Sequence, residues 1–187
     1  MEIGILRIGP VRQWIYDHIC RSLQSFFPEA NLNSFREVMP LPGEAYNSSR
    51  NQYDSSILLS KLSSYLPSLF KVDKLLGVTE ADLFVPKMNF VFGEARPKWG
   101  IAVISLHRLR PEFYGQILDN EIFAERFTKE AIHEIGHTLG LRHCGDQQCV
   151  MFFSNNIQLV DKKDLNFCVK CKKHLKNSFK NSCTSKM

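Results

Sequence analysis

The sequence predicts an α+β (mixed α/β) fold: a twisted mixed sheet of four or five strands backed by helices, followed by a small cysteine-bearing C-terminal part. Up to residue 66, short apolar runs alternate with stretches of helical period, punctuated by Pro28, Pro40, Pro42 and Pro67. From Lys71 the apolar runs become short and follow one another closely, as in hairpins, and a single long helical stretch then covers 121–139. Alternation of strand and helix followed by hairpins is the usual signature of a mixed sheet with helices on its faces.

In chain order, Ile3, Ile5, Leu6 and Ile8 form a central strand closed by Gly9-Pro10. Residues 11–27 have helical spacing, with Trp14, Ile15, His18, Ile19, Leu23 and Phe26 available for one buried face before Pro28. A second strand is expected over 33–41, and a helix over 47–66 through Ile57, Leu58, Leu62 and Leu66. Strands are expected at 75–79, 82–85, 90–95 and 100–106, the last a fully buried one. Residues 111–115 read as a surface loop, and Asp119 or Asn120 as the N-cap of the long helix, with Glu121 in its first turn.

A chain of 187 residues supports one compact body, and 44% hydrophobic against 23% charged residues excludes general disorder. No apolar run approaches the roughly 18 residues of a membrane span. The N-terminus lacks the basic region and small-residue cleavage site of a secretory signal. A cytoplasmic, monomeric protein without membrane contact is therefore expected. Six cysteines in a reducing compartment then point to metal, not to a disulfide framework. The net charge of +5 is modest, although Lys170, Lys172, Lys173, Lys176, Lys180 and Lys186 crowd the end of the chain without an acid. A solvated face is the default there, and nucleic acid is not the expected partner.

The chemistry concentrates in His133-Glu134-Ile135-Gly136-His137-Thr138-Leu139-Gly140-Leu141-Arg142-His143. At about 100° per residue, Phe127, Ala131, Ile132, Ile135 and Leu139 form a docking stripe, and His133 and His137 fall on nearly the opposite face. Two imidazoles at i and i+4 can chelate one Zn²⁺, and Glu134 is then placed beside the metal as a general base. Gly140 can take the left-handed conformation that ends the helix and brings back His143 as a third nitrogen ligand. Three protein ligands leave a fourth position open, the mark of a catalytic zinc site. His107 reads as a structural or surface histidine, and Glu94 as a surface acid, with recognition of a free amino group as the alternative.

Cys144, Cys149, Cys168 and Cys171 form two close pairs suited to a second, structural zinc, whereas Cys20 and Cys183 have no partner by spacing. His174 is a possible competitor for one thiol position. The three-histidine motif followed by Met151 resembles the metzincin clan of zinc peptidases. The thiol spacing that runs from Cys144 to Cys171 is similar to that of the archaemetzincins. The resemblance implies a metzincin-like zincin in which residues 1–140 form the N-terminal subdomain with the active-site helix. Residues 141–187 form a small subdomain with the third histidine, the Cys₄ zinc, the Met-turn and the basic tail. It implies two zinc ions and a peptide or protein substrate. His133, His137 and His143 would be the catalytic ligands, Glu134 the base, Gly140 the turn, Met151 the Met-turn residue, and the four cysteines the structural ligands. Phe152 and Phe153 follow Met151 where a tyrosine would serve as oxyanion stabiliser, so no phenol is assigned. The alternative is a vestigial site in a zinc-binding module that engages a protein or nucleic acid through its Cys₄ site and lysine-rich tail.

Overall fold

The computed structural model describes residues 1–65 and 72–184, with side chains described up to residue 176. Leu66, Pro67 and Lys186 lie outside the described residues, and the side chains of Lys180 and Cys183 outside the described side chains. Among the described residues no helix is long and apolar enough to cross a membrane.

The chain opens with strand β1 (Glu2–Ile8), helix α1 (Gln13–Phe26) and strand β2 (Asn31–Met39), which returns parallel to β1. Strand β5 (Lys74–Thr79) pairs parallel to the other side of β1, and β8 (Ile101–Ser105) parallel to β5. Strand β7 (Gly93–Arg96) closes the edge antiparallel to β8, giving the five-stranded order β2-β1-β5-β8-β7. The three inner strands are nearly continuous apolar runs because both their faces are covered. Ile3, Ile5, Leu76, Val78, Ala102 and Ile104 point to the face covered by α1 and by helix α3 (Asn120–Thr138). Their neighbours Leu6, Ile8, Leu75, Ile101 and Val103 meet helix α2 (Ser55–Tyr65) on the other face. Parity along each strand thus assigns these side chains to one of two cores.

Three expectations need correction. The helix expected over 47–66 begins only at Ser55, because residues 46–54 form a hairpin of β3 (Tyr46–Asn47) and β4 (Gln52–Asp54). Its turn is a run of residues that prefer local side-chain bonds to helix: Asn47 Oδ1 accepts the Arg50 N–H at 3.1 Å, and Asn51 sits at a positive φ of 52°. Asp54 Oδ1 then accepts the Ser56 N–H at 2.9 Å at the helix entrance. The strand expected at 82–85 shrinks to β6 (Leu83–Phe84), which leaves the main sheet and pairs parallel to β4. Asp82 directs it there, as Arg108 grips its carboxylate through two nitrogens and Gln52 donates to it at 2.9 Å. The strand expected over 90–95 is ordered as β7 only from Gly93, with Val91 making an isolated bridge to Leu83.

After α3 the chain carries two further helices, α4 (Ile157–Lys162) and α5 (Val169–Thr184). Val150, Met151, Ile157, Val160, Phe167 and Leu175 from this region join the same core as α1 and α3.

Candidate active site

Asp119 caps α3 as expected, its Oδ1 accepting the N–H groups of Glu121 and Ile122 at 2.9 and 3.0 Å. Phe127, Ala131, Ile132, Ile135 and Leu139 are buried against the sheet and α1, so the expected docking stripe docks. The opposite face is not open to solvent, however. Glu130, His133 and Glu134 are buried too, between the edge strand β7 on one side and the segment that follows the helix on the other.

The helix ends in a Schellman motif: Gly140, at φ +90°, donates its N–H to His137 O at 3.0 Å, and Leu141 donates to Gly136 O at 3.0 Å. That turn folds His143 back over the helix. The three rings lie with centroids 4.6 Å apart for His133 and His137, 4.8 Å for His137 and His143, and 5.4 Å for His133 and His143. Each offers a ring nitrogen, and these atoms lie within 4.8 Å of one another.

Backbone carbonyls set the tautomers. His133 Nδ1 lies 2.7 Å from Val150 O, and His137 Nδ1 lies 2.8 Å from Leu141 O. A carbonyl only accepts, so both Nδ1 atoms carry the proton and both Nε2 atoms present lone pairs. Those Nε2 atoms face each other at 3.1 Å. Burial, then the Lys163 cation, holds His133 well below the usual imidazole range, and burial lowers His137 and His143 as well. Two neutral lone-pair donors at that separation repel unless a cation lies between them, so the three imidazoles fit a metal ion.

Glu134 is buried next to this group, and its Oε2 has no hydrogen-bond partner. Burial raises its carboxyl well above the usual range, and the neighbouring Glu130 and Glu94 add to the effect while Lys163 opposes it. A divalent cation on the imidazoles would favour the ionised form. Glu130, one turn earlier on α3, pairs with the fully buried Lys163 at 2.8 Å. Glu94 belongs to β7 itself. It is half-buried and held by Ser55 Oγ at 2.6 Å and Arg96 Nη2 at 3.0 Å.

The imidazoles and Glu134 open on a cleft of about 400 Å³. Met88, Phe90 and Val91 wall one side and Phe153 the other, the latter tilted on His143 at 4.9 Å. Among the described residues the lining of this cleft carries no tyrosine.

Directly after His143, the Sγ atoms of Cys144, Cys149, Cys168 and Cys171 cluster within 4.8 Å of one another, with no disulfide among them. The Cys168 N–H points at Cys149 Sγ at 3.3 Å, and the Asp146 N–H at Cys144 Sγ at 3.5 Å. Burial, then the neighbouring thiols, pushes Cys171 far up. Four sulfurs crowded in this way can ionise together only around a cation, and four thiolates are a closed tetrahedral set for zinc. His174 lines the adjoining pocket but is not in the cluster, and Cys20 sits apart on α1 with its thiol pushed up to about 11. His107 packs on Phe113 at 5.3 Å, outside the site. Met151 is fully buried beneath α3, and its backbone carbonyl accepts the Cys144 N–H at 2.9 Å.

Sequence reasoning passed over Gly93, Gly136, Glu130 and Lys163. A Cβ on Gly136 would stand 2.5 Å from Met151 Sδ, so this glycine lets the helix settle on the methionine. Its signal was visible, a glycine in mid-helix that costs stability without a packing reason. Lys163 gave no such signal, because nothing in its neighbours along the chain distinguishes a buried lysine from a solvated one.

Comparison with known proteins agrees with this geometry. The family model for Peptidase family M54 matches residues 5–177. An archaemetzincin of Methanocaldococcus jannaschii is 44% identical over 180 residues, which cover 95% of this chain and 94% of that one. The crystal structure of a zinc-dependent peptidase from Methanocorpusculum labreanum superposes with a TM-score of 0.84 at 34% identity, covering 92% of this chain and 99% of that chain. That of archaemetzincin from Archaeoglobus fulgidus, complexed with malonate, superposes with a TM-score of 0.78 at 37% identity, covering 93% and 99%.

Proposed function

The chain belongs to peptidase family M54, the archaemetzincins, and is a zinc metallopeptidase; from that premise we propose that Glu134 is its general base, with His133, His137 and His143 holding a catalytic zinc. The observation that carries the proposal is the convergence of three neutral imidazole nitrogens beside an unpartnered buried carboxylate, all opening on one cleft. Bound there, zinc supplies Lewis acidity, which lowers the pKa of water and polarises a peptide carbonyl. The chain's own residues do the rest. Glu134 takes a proton from the attacking water and returns it to the departing amine. Val150 O and Leu141 O keep the two helix imidazoles in one tautomer and orientation. The apolar walls at Met88, Phe90, Val91 and Phe153 exclude water and favour substrates with apolar side chains beside the scissile bond.

A second, structural zinc belongs on Cys144, Cys149, Cys168 and Cys171, making two ions in all. Gly140 is the boundary between residues 1–140 and 141–187, and Met151 is the Met-turn residue. A monomer in the cytoplasm that acts on peptides or proteins, without nucleic acid, completes this reading, and the described cysteines, none of them in a disulfide, support a reducing compartment. Metal content by mass spectrometry, with peptide digestion alongside, tests the assignment. Wild type should hold two zinc ions and His133→Ala one. Glu134→Ala should keep both while losing hydrolysis by ~10²–10⁴-fold. An active Glu134→Ala protein refutes the base, and a wild type without zinc refutes the site.

A further inference from the structure

Gly93 begins the edge strand β7, opposite Ile104 of β8, and its backbone is that of ordinary strand, outside the positive-φ region that favours glycine. Conformation therefore does not call for glycine here; space does. A Cβ built on Gly93 would lie 2.6 Å from Glu134 Oε1, 2.7 Å from its Cγ and 2.8 Å from its Cδ. All three are side-chain atoms of the one residue. Favourable contacts between carbon atoms begin near 3.5 Å, so an added methyl must push the carboxylate by roughly 0.8 Å.

We infer that Gly93 is a positioning residue for the reaction: the missing side chain on the edge strand is the slot that holds the Glu134 carboxylate against the three imidazoles. This rests on Glu134 being the base. The carboxylate has no hydrogen bond to its Oε2 to fix it. Its placement comes from packing, with the bare backbone of β7 above and the helix below. Strand and helix reach this distance because β7 is the sheet edge that packs on α3.

The test is a double-mutant cycle in the zinc-loaded enzyme, with Gly93→Ala, Glu134→Asp and the pair, read by kcat and KM separately. A misplacement of about 1 Å costs on the order of 10²-fold, so Gly93→Ala should lose ~10–100-fold in kcat with KM within about threefold of wild type. Zinc content by mass spectrometry and the thermal midpoint should stay near wild type, as a merely structural role would not allow. Aspartate is one methylene shorter and withdraws the carboxylate from the new methyl. In the Glu134→Asp background, Gly93→Ala should therefore change kcat by less than about threefold. A Gly93→Ala enzyme with wild-type kcat, an equal loss in both backgrounds, or a loss that tracks zinc content or stability overturns the inference. Glu134→Gln separates the two failures. If that variant keeps activity, the base assignment falls and takes the slot with it. If it is inactive while Gly93→Ala is fully active, only the slot falls.

Discussion

Lys163 follows α4 and is fully buried, with its ammonium 2.8 Å from Glu130 Oε1 as an ion pair and no hydrogen bond to Nζ. The carboxylate it meets, on the cleft face of α3, is buried as well. Replacing Lys163 by Met keeps the length of the stem and removes the cation paired with Glu130, leaving a buried charge without its counter-ion. Breaking a buried pair from one side costs about 3–5 kcal/mol, a large part of the roughly 5–15 kcal/mol that holds a domain together. For a chain of this size each kcal/mol moves the thermal midpoint by about 2–4 °C, so Lys163→Met should melt roughly 6–20 °C below wild type. Removing both charges, in Glu130→Gln/Lys163→Met, abolishes the desolvation cost together with the attraction and should return to within about 1 kcal/mol of wild type. Urea unfolding of the zinc-loaded proteins measures all three. A single variant that loses less than about 1 kcal/mol, or a double variant no more stable than the single one, refutes the reasoning that desolvation governs this pair.

Two further outcomes follow from the same site. Gly136→Ala should gain about 1 kcal/mol of helix propensity yet be destabilised overall by about 1–3 kcal/mol, because the methyl meets Met151 Sδ at 2.5 Å; a net rise in thermal midpoint counts against the contact. With the imidazole site stripped by a chelator, the folded protein keeps a proton on Glu134 that the unfolded chain, titrating near 4.5, gives up. That contribution is full below about pH 4.5 and is lost as pH rises towards the elevated folded value. The stability advantage of Glu134→Gln over wild type should therefore grow with pH above 4.5, and calorimetry showing a constant difference between about pH 5 and 8 would sink the assignment.

The helix α3, its cap at Asp119, the turn at Gly140 and the return of His143 were all legible in the sequence, because each depends on contacts within a few residues. The same holds for the clustering of the four thiols, whose spacing along the chain already pairs them. The hairpin at 46–54 was missed because helical periodicity in Ile57, Leu58 and Leu62 was extended backwards through Asn47 and Asn51. Those side chains bond locally and stop a helix, a competition that apolar spacing does not register. The strand at Leu83–Phe84 leaves the main sheet because Asp82 answers to Arg108 and Gln52, partners 26 and 30 residues away.

By itself, then, the sequence determined most of the helices and strands and which histidines and cysteines come together, since short-range spacing on a helix or turn dictates which side chains converge. Only the tertiary structure decided what surrounds them. The slot at Gly93, the seat of Met151 under Gly136, the carbonyls that select each imidazole tautomer and the buried Lys163–Glu130 pair all join segments far apart in the chain. Packing brings those segments within a few ångströms, and close packing and burial, which give a missing methyl or an unpaired charge its energetic weight, exist only after the chain has folded.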